Sequence, residues 1–150
     1  MGKSEGQPTE IIAAIDAGSN GIRLAVARIN GDGVVREIES TREAVRLGGD
    51  AFGNGQLAEA TIDAAVAAFS RFAERIAAND VRHLRAVATS AAREASNSRT
   101  LVSRVRKATG IRLEIINGLE EAQLVFAGVA DGDTMYTDGV DRAPTACWNP

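Results

Sequence analysis

Cysteine is all but absent from this chain: Cys147 stands alone, so no intrachain disulfide is available to hold the fold. Lysine is nearly as scarce, since Lys3 and Lys107 are two of the seventeen basic residues and arginine supplies the rest. Arginine forks match phosphate oxygens two at a time, which suits a phosphate ligand, although a GC-rich genome leaves the same bias. No apolar run approaches the roughly eighteen residues that span a bilayer, and no charged-then-apolar leader opens the sequence. A cytoplasmic protein with no membrane partner is the expectation. Positive charge is not in excess either. Twenty acidic residues against seventeen basic ones leave a net charge of -3, which argues against a general nucleic-acid binder without excluding a local basic site. Internal repeats and low-complexity tracts are also missing. What remains is an ordinary globular composition, 45% hydrophobic and 25% charged over 150 residues, with room for one domain and a modest core.

The most informative stretch runs from Ile11 to Leu24, IIAAIDAGSNGIRL. An apolar run, Ile11 to Ile15, meets Asp16 and a turn of small residues before apolar residues resume at Ile22, a pattern that predicts strand, tight loop, strand. Gly18 and Gly21 offer backbone conformations closed to other residues and leave a ligand room to approach. With Ser19 and Asn20 between them, several N–H groups can converge on an anion. Asp16, at the strand end, is placed to hold a divalent cation beside those donors. The same residues are also plain hairpin chemistry, since Asp, Gly, Ser and Asn are common in turns.

Taken in order, residues 1–9 are polar and aperiodic and read as a flexible tail. Ile22 to Ile29 and Val34 to Leu47 are predicted strands joined by the turn Asn30-Gly31-Asp32-Gly33, which makes three antiparallel strands with the first. The run Gly48 to Gly55 is rich in glycine and reads as an exposed loop. From Ala58 to Asn79 the apolar residues Ile62, Ala65, Val66, Phe69, Phe72, Ala73 and Ile76 share one helical face. His83 to Ala88 is a short strand that meets Thr89-Ser90-Ala91-Ala92-Arg93-Glu94, a strand-to-helix junction. A helix from about Ser98 to Thr109 stops at Gly110, Ile111 to Ile116 is a further strand, and Asn117-Gly118 leads into a helix from Leu119 to about Gly128. Strands separated by helices make an α/β layer fold. Glu120 and Glu121 fall in the first turn of that last helix, where acids are favoured in any case.

Three polar or glycine-bearing junctions at strand ends are where open α/β sheets bind ligands. Their sequences, AIDAGSNGIRL, AVATSAAREASN and IINGLEEAQLVFAGV, are similar in order and spacing to the first three motifs of the Ppx/GppA family of exopolyphosphatases and guanosine pentaphosphate phosphatases. RLGGDAFGNGQL, followed by an amphipathic helix, resembles the same family, and the likeness covers residues 10–129. It implies an actin-like, ribonuclease-H-like first subdomain with a mixed sheet flanked by helices. It also implies Mg²⁺-dependent hydrolysis of a terminal phosphoanhydride in polyphosphate or guanosine pentaphosphate. Carried over residue by residue, Gly18, Ser19, Asn20 and Gly21 form the first phosphate loop, with Asp16 at the metal. Arg93 contacts phosphate, and Glu121 activates the attacking water, with Glu120 as its neighbour and competitor for that role.

Basic residues are unevenly spread: ten against three acidic ones from Arg71 to Arg112, then seven acids and no base from Leu113 to Asp141. A polyanion can follow the basic region, or Arg104, Arg106 and Lys107 can form the wetted face of a helix. Two departures from the family pattern stand out. Gly21 replaces a common serine. After residue 129 the second phosphate loop, D-x-G-G-G-S/T, does not follow, and residues 130–150 read as an irregular, non-family tail on a truncated domain. Weak or absent turnover by this chain alone is the consequence expected. The alternatives are a phosphate- or nucleotide-binding half-domain that forms a homo-oligomer or pairs with a missing second half, and a non-functional remnant.

Overall fold

The computed structural model describes residues 9–132, with side chains to 126. Its elements are β1 (Glu10–Ala17), β2 (Ile22–Ile29), β3 (Val35–Glu43), α1 (Leu47–Asn54), α2 (Glu59–Ala78), β4 (His83–Ala88), α3 (Ser90–Glu94), α4 (Ser98–Thr109), β5 (Leu113–Ile115) and α5 (Gly118–Gly132). The five strands form one sheet in the order β3-β2-β1-β4-β5. β1 to β3 run antiparallel, whereas β4 lies parallel to β1 and β5 parallel to β4. The segments that return the chain to a parallel strand carry α1 and α2 before β4, and α3 and α4 before β5. Among the described residues no helix is long and apolar enough to cross a membrane.

Alternation along β1 divides its side chains between two faces. Ala13, Ile15 and Ala17 enter the main core, while Ile12 packs with Ala27 and Val35 in a smaller cluster on the opposite face. The main core is closed by α2, of which Ile62, Ala65, Ala68, Phe69 and Phe72 are buried. Val66, Ala73 and Ile76 lie at its margin, partly covered. Phe69 and Phe72 meet edge to face with ring centroids 6.3 Å apart, and each buried ring contributes roughly 2–3 kcal/mol by removal from water. On the outward side, Arg71 and Arg75 pair with Glu43 and Glu39 of β3 at 2.8 and 2.5 Å. Exposed pairs of this kind add little to stability, because water screens them.

The glycine-rich run is not the loop that its composition predicts. Residues 47–54 form α1, and the strand before it stops at Glu43. Tertiary contact supplies what propensity lacks. The Gly48 N–H donates to the Ser19 carbonyl at 2.8 Å, and a Cβ on Gly48 would lie 2.8 Å from Ser19 Cβ and 3.1 Å from Ser19 O. The helix ends at Gly55, which takes a φ of +70° and donates its N–H to Ala51 O. Asp50 reaches across to accept the Ala58 N–H at 2.9 Å. The positive-φ glycines among the described residues are Gly33, Gly55 and Gly110, so neither Gly18 nor Gly21 uses the conformational freedom that a glycine-rich turn suggests.

The remaining elements follow their predicted spans closely, except that β5 holds only 113–115 of the expected 111–116 and α5 continues to Gly132. Residues 1–8 of the predicted flexible tail, and 133–150 of the predicted irregular tail, lie outside the described residues. Because Gly48 packs directly on the first loop, Gly48→Ala is expected to lower stability by about 1–3 kcal/mol in urea denaturation. Gly49→Ala, whose Cβ would meet nothing within 4 Å, is expected to be neutral or stabilising by up to about 1 kcal/mol.

Candidate functional site

Because β1, β4 and β5 run parallel, the chain leaves all three at the same end of the sheet. It leaves β1 through residues 18–21, β4 through Thr89 and α3, and β5 through residues 116–118 into α5. Backbone bonds tie the exits together: Thr89 N–H donates to Ala17 O at 3.3 Å and Ile116 N–H to Ala88 O at 3.1 Å. Side chains add to them. The hydroxyls of Ser19 and Ser90 share a hydrogen bond of 3.1 Å. Arg93 Nη1 donates to Glu121 Oε2 at 2.9 Å and to the Ile116 carbonyl at 2.8 Å. Asn97 braces the region from behind, accepting the Leu57 N–H and donating to the Leu57 carbonyl, both at 2.8 Å.

The loop itself closes by one bond, Gly18 N–H to Gly21 O at 3.0 Å. The N–H groups of Ser19, Asn20 and Gly21 have no acceptor among the described residues. Successive backbone N–H groups left open on a turn can bind an anion where they converge.

Asp16 is the last-but-one residue of β1, with Arg23 opposite it on β2 and Val87 beside it on β4. Its carboxyl is held above the usual aspartate range. Loss of water to the surrounding protein is the larger cause, the negative charge of Glu121 adds to it, and Arg23 opposes both. Asp16 and Glu121 therefore share one electrostatic neighbourhood although they stand 105 positions apart in sequence. The two adjacent acids of α5 are separated in role by geometry. Glu120 turns back so that its Oε2 accepts the Asn117 N–H at 2.9 Å, and Asn117 Oδ1 accepts the N–H groups of Leu119 and Glu120. That reciprocal arrangement is a capping box. Glu121 faces Arg93 instead.

The sequence placed Asp16, Ser19, Asn20, Arg93 and Glu121 on three separate motifs, and the structure brings those motifs together. Ser90 and Asn97 carry no signal of their own in the sequence, although both lie in or beside the junction that the sequence marks. From the basic region Arg93 stands at this site, while three other arginines are engaged elsewhere. Arg71 and Arg75 bond to β3, and Arg104 bonds to Glu59 at 2.9 Å and also to Asp63 of α2. A groove of about 530 Å³, lined by Ile76, Val81, Leu84, Arg85, Ile111 and Arg112 among others, lies at the opposite end of β4 and contains none of the site residues. Among the described residues no group of three or more His, Cys, Asp or Glu could hold a metal ion. A cation at Asp16 and Glu121 would thus need oxygens from water or substrate as well.

A family model described as the Ppx/GppA phosphatase family matches residues 25–138. The chain belongs to the Ppx/GppA phosphatase family. Exopolyphosphatase 1 of Mycobacterium leprae is 34% identical over 89% of the chain, and guanosine-5'-triphosphate,3'-diphosphate pyrophosphatase of Vibrio vulnificus is 31% identical over 85%. The chain spans 44% and 25% of the lengths of these relatives. Among solved structures, the Ppx/GppA family member of Aquifex aeolicus superposes with a TM-score of 0.78 at 30% identity, covering 82% of this chain and 40% of that one. An exopolyphosphatase from Cytophaga hutchinsonii gives 0.79 at 31%, covering 85% and 40%. The mixed sheet with flanking helices is therefore the actin-like fold of the Ppx/GppA proteins.

The electrostatics of the site lead to a titration experiment. In carboxyl ¹³C NMR, Asp16 is expected to titrate above the ordinary value of 3.8. Glu121→Gln is expected to bring it down by removing a like charge, and Arg23→Gln to push it further up. A pKa raised by folding means that the folded state holds more protons. Asp16's favourable contribution is then complete below its unfolded pKa and is lost as pH rises through the higher folded value. Asp16→Asn should accordingly raise Tm at neutral pH, with a gain that shrinks as the solution is acidified.

Proposed function

We propose that this chain carries one wall of the active site of a Mg²⁺-dependent phosphatase that removes terminal phosphate from a polyphosphate chain or from guanosine pentaphosphate. The observation that carries the reading is the convergence, at one end of the sheet, of three open loop N–H groups, the Arg93–Glu121 pair and Asp16. The names of the relatives, exopolyphosphatase and guanosine-5'-triphosphate,3'-diphosphate pyrophosphatase, support the two candidate substrates. Phosphoryl transfer to water demands little covalent work from a protein, only charge neutralisation and an aligned nucleophile. The N–H groups of Ser19, Asn20 and Gly21 cradle oxygens of the terminal phosphate. Glu121 accepts the proton of the attacking water, and Arg93 holds that carboxylate in place. Nη1 is committed to that task, and the rest of the Arg93 fork is left to meet phosphate oxygen.

Asp16 would hold a hard cation at this site together with oxygens from water or substrate, and a positive charge beside it would offset the desolvation and the Glu121 charge that raise its carboxyl. Mg²⁺ held there would neutralise charge on the phosphate oxygens. Glu120, committed to its helix cap, is not the base.

A second reading, a binding half-domain that pairs with a separate second half, is favoured by one observation. On α5 the side chains of Leu119, Val125 and Phe126 are 70%, 63% and 74% exposed, an uncovered apolar surface of the kind that marks association.

Phosphate release from tripolyphosphate and from guanosine pentaphosphate in Mg²⁺ buffer tests the main reading. The 150-residue polypeptide, offering one phosphate loop, is expected to bind these anions with little or no turnover. Release abolished by Glu121→Gln would overturn the expected inactivity and support the base. Release that survives Glu121→Gln would overturn the base. In parallel, gel filtration that finds only monomer, unchanged by Phe126→Ser, would count against the half-domain reading.

A further inference from the structure

Gly21 does not serve its turn through an unusual φ, so what it supplies is space. A Cβ at this position would stand 2.7 Å from Arg42 Nε, 3.2 Å from Arg42 Nη2 and 3.1 Å from the Glu43 carbonyl oxygen. The missing side chain is thus a slot, and the Arg42 guanidinium fills it. From there Nη2 donates to the Asn20 carbonyl at 3.2 Å. Arg42 reaches the loop from β3, where it lies opposite Arg23 in the strand register, and among the described residues it has no carboxylate partner.

The bond falls on the peptide that joins Asn20 to Gly21. No peptide bond among the described residues is cis, and in a planar trans peptide the carbonyl and the N–H point to opposite sides. Drawing the Asn20 carbonyl toward Arg42 therefore turns the Gly21 N–H away from it. That N–H is one of the three loop donors without an acceptor among the described residues. A cationic donor on the carbonyl also polarises the peptide and strengthens its N–H as a donor.

We propose that Arg42 is a positioning residue of the phosphate loop: admitted by Gly21, it locks the plane of the Asn20–Gly21 peptide so that the Gly21 N–H faces the bound anion. The inference rests on the reading of residues 18–21 as a phosphate cradle. It assigns to β3 a part in the site, and it gives Gly21 a reason to replace the serine of the family pattern. A serine at position 21 would add a hydroxyl but evict the guanidinium.

The test follows the backbone amides of the ¹⁵N-labelled full chain by NMR during titration with inorganic phosphate and with tripolyphosphate at several salt concentrations. In the wild type the amides of Ser19, Asn20 and Gly21 should all move. In Arg42→Leu the Gly21 response should be lost while that of Ser19 persists. Affinity should fall by roughly 3- to 10-fold, the net worth of one ordinary hydrogen bond. The fall should be equal for both anions, with the same dependence on salt. Arg42→Lys, which can still donate to the carbonyl, should restore part of the response. Gly21→Ser should reproduce the loss by a different route. Thermal melting of each variant checks that the fold is intact, which the exposed position of Arg42 favours. A larger loss for tripolyphosphate, with a flattened salt dependence, would make Arg42 a direct charge ligand and overturn the proposal. An Arg42→Leu titration identical to wild type overturns it too. A wild-type Gly21 amide indifferent to both anions overturns the cradle itself and the clamp with it.

Discussion

Strand β1 hydrogen-bonds along both edges, antiparallel to β2 and parallel to β4, and this double pairing decides where chemistry can occur. The antiparallel partner requires the chain to reverse within four residues after Ala17. The parallel partner requires that β4 end beside that reversal, so the tight loop and the start of α3 are neighbours by construction. β5, parallel to β4, delivers α5 to the same place. No long-range attraction among the site residues is needed to assemble them; the register of a buried strand does it, and the polar contacts refine the result.

The refinement depends largely on glycines used for room. Gly48 lets α1 press its first turn against Ser19, and Gly21 lets a guanidinium from β3 reach the Asn20 carbonyl. The first loop is consequently held on two sides, by α1 and by β3, with Ser90 adding a third contact through its hydroxyl. A loop held in this way presents its free N–H groups in a fixed arrangement, and preorganised donors stabilise an anion without reorganising when it arrives.

Charge is handled differently inside and outside the site. On the outer surface Arg71, Arg75 and Arg104 are matched to acids on neighbouring elements, which offsets part of the basic bias that the sequence shows between Arg71 and Arg112. At the sheet end two carboxylates are left near one another, with Arg93 bonded to Glu121 and Arg23 beside Asp16. The result is two acids that repel one another, each offset by one guanidinium.

Much of this was legible in the chain itself. The alternation of Ile12, Ala13, Ile15 and Ala17, the 3.6-residue spacing from Ile62 to Phe72, and the glycine stop at Gly110 are local physics, because each depends on neighbours within a few residues. So were the three motifs, since their small and polar residues mark strand ends wherever they occur. What the chain could not reveal are the features that depend on a partner far away in sequence. The first turn of residues 47–54 packs and hydrogen-bonds on Ser19. The use of Gly21 rests on Arg42. The division of labour between Glu120 and Glu121 rests on whether Asn117 or Arg93 lies within reach. Helix propensity and turn statistics describe an isolated segment, whereas a few ångströms of packing space and a single carbonyl supplied from another element outweigh them. Sequence determined the elements and the residue types at their ends; tertiary structure decided which of those residues face each other.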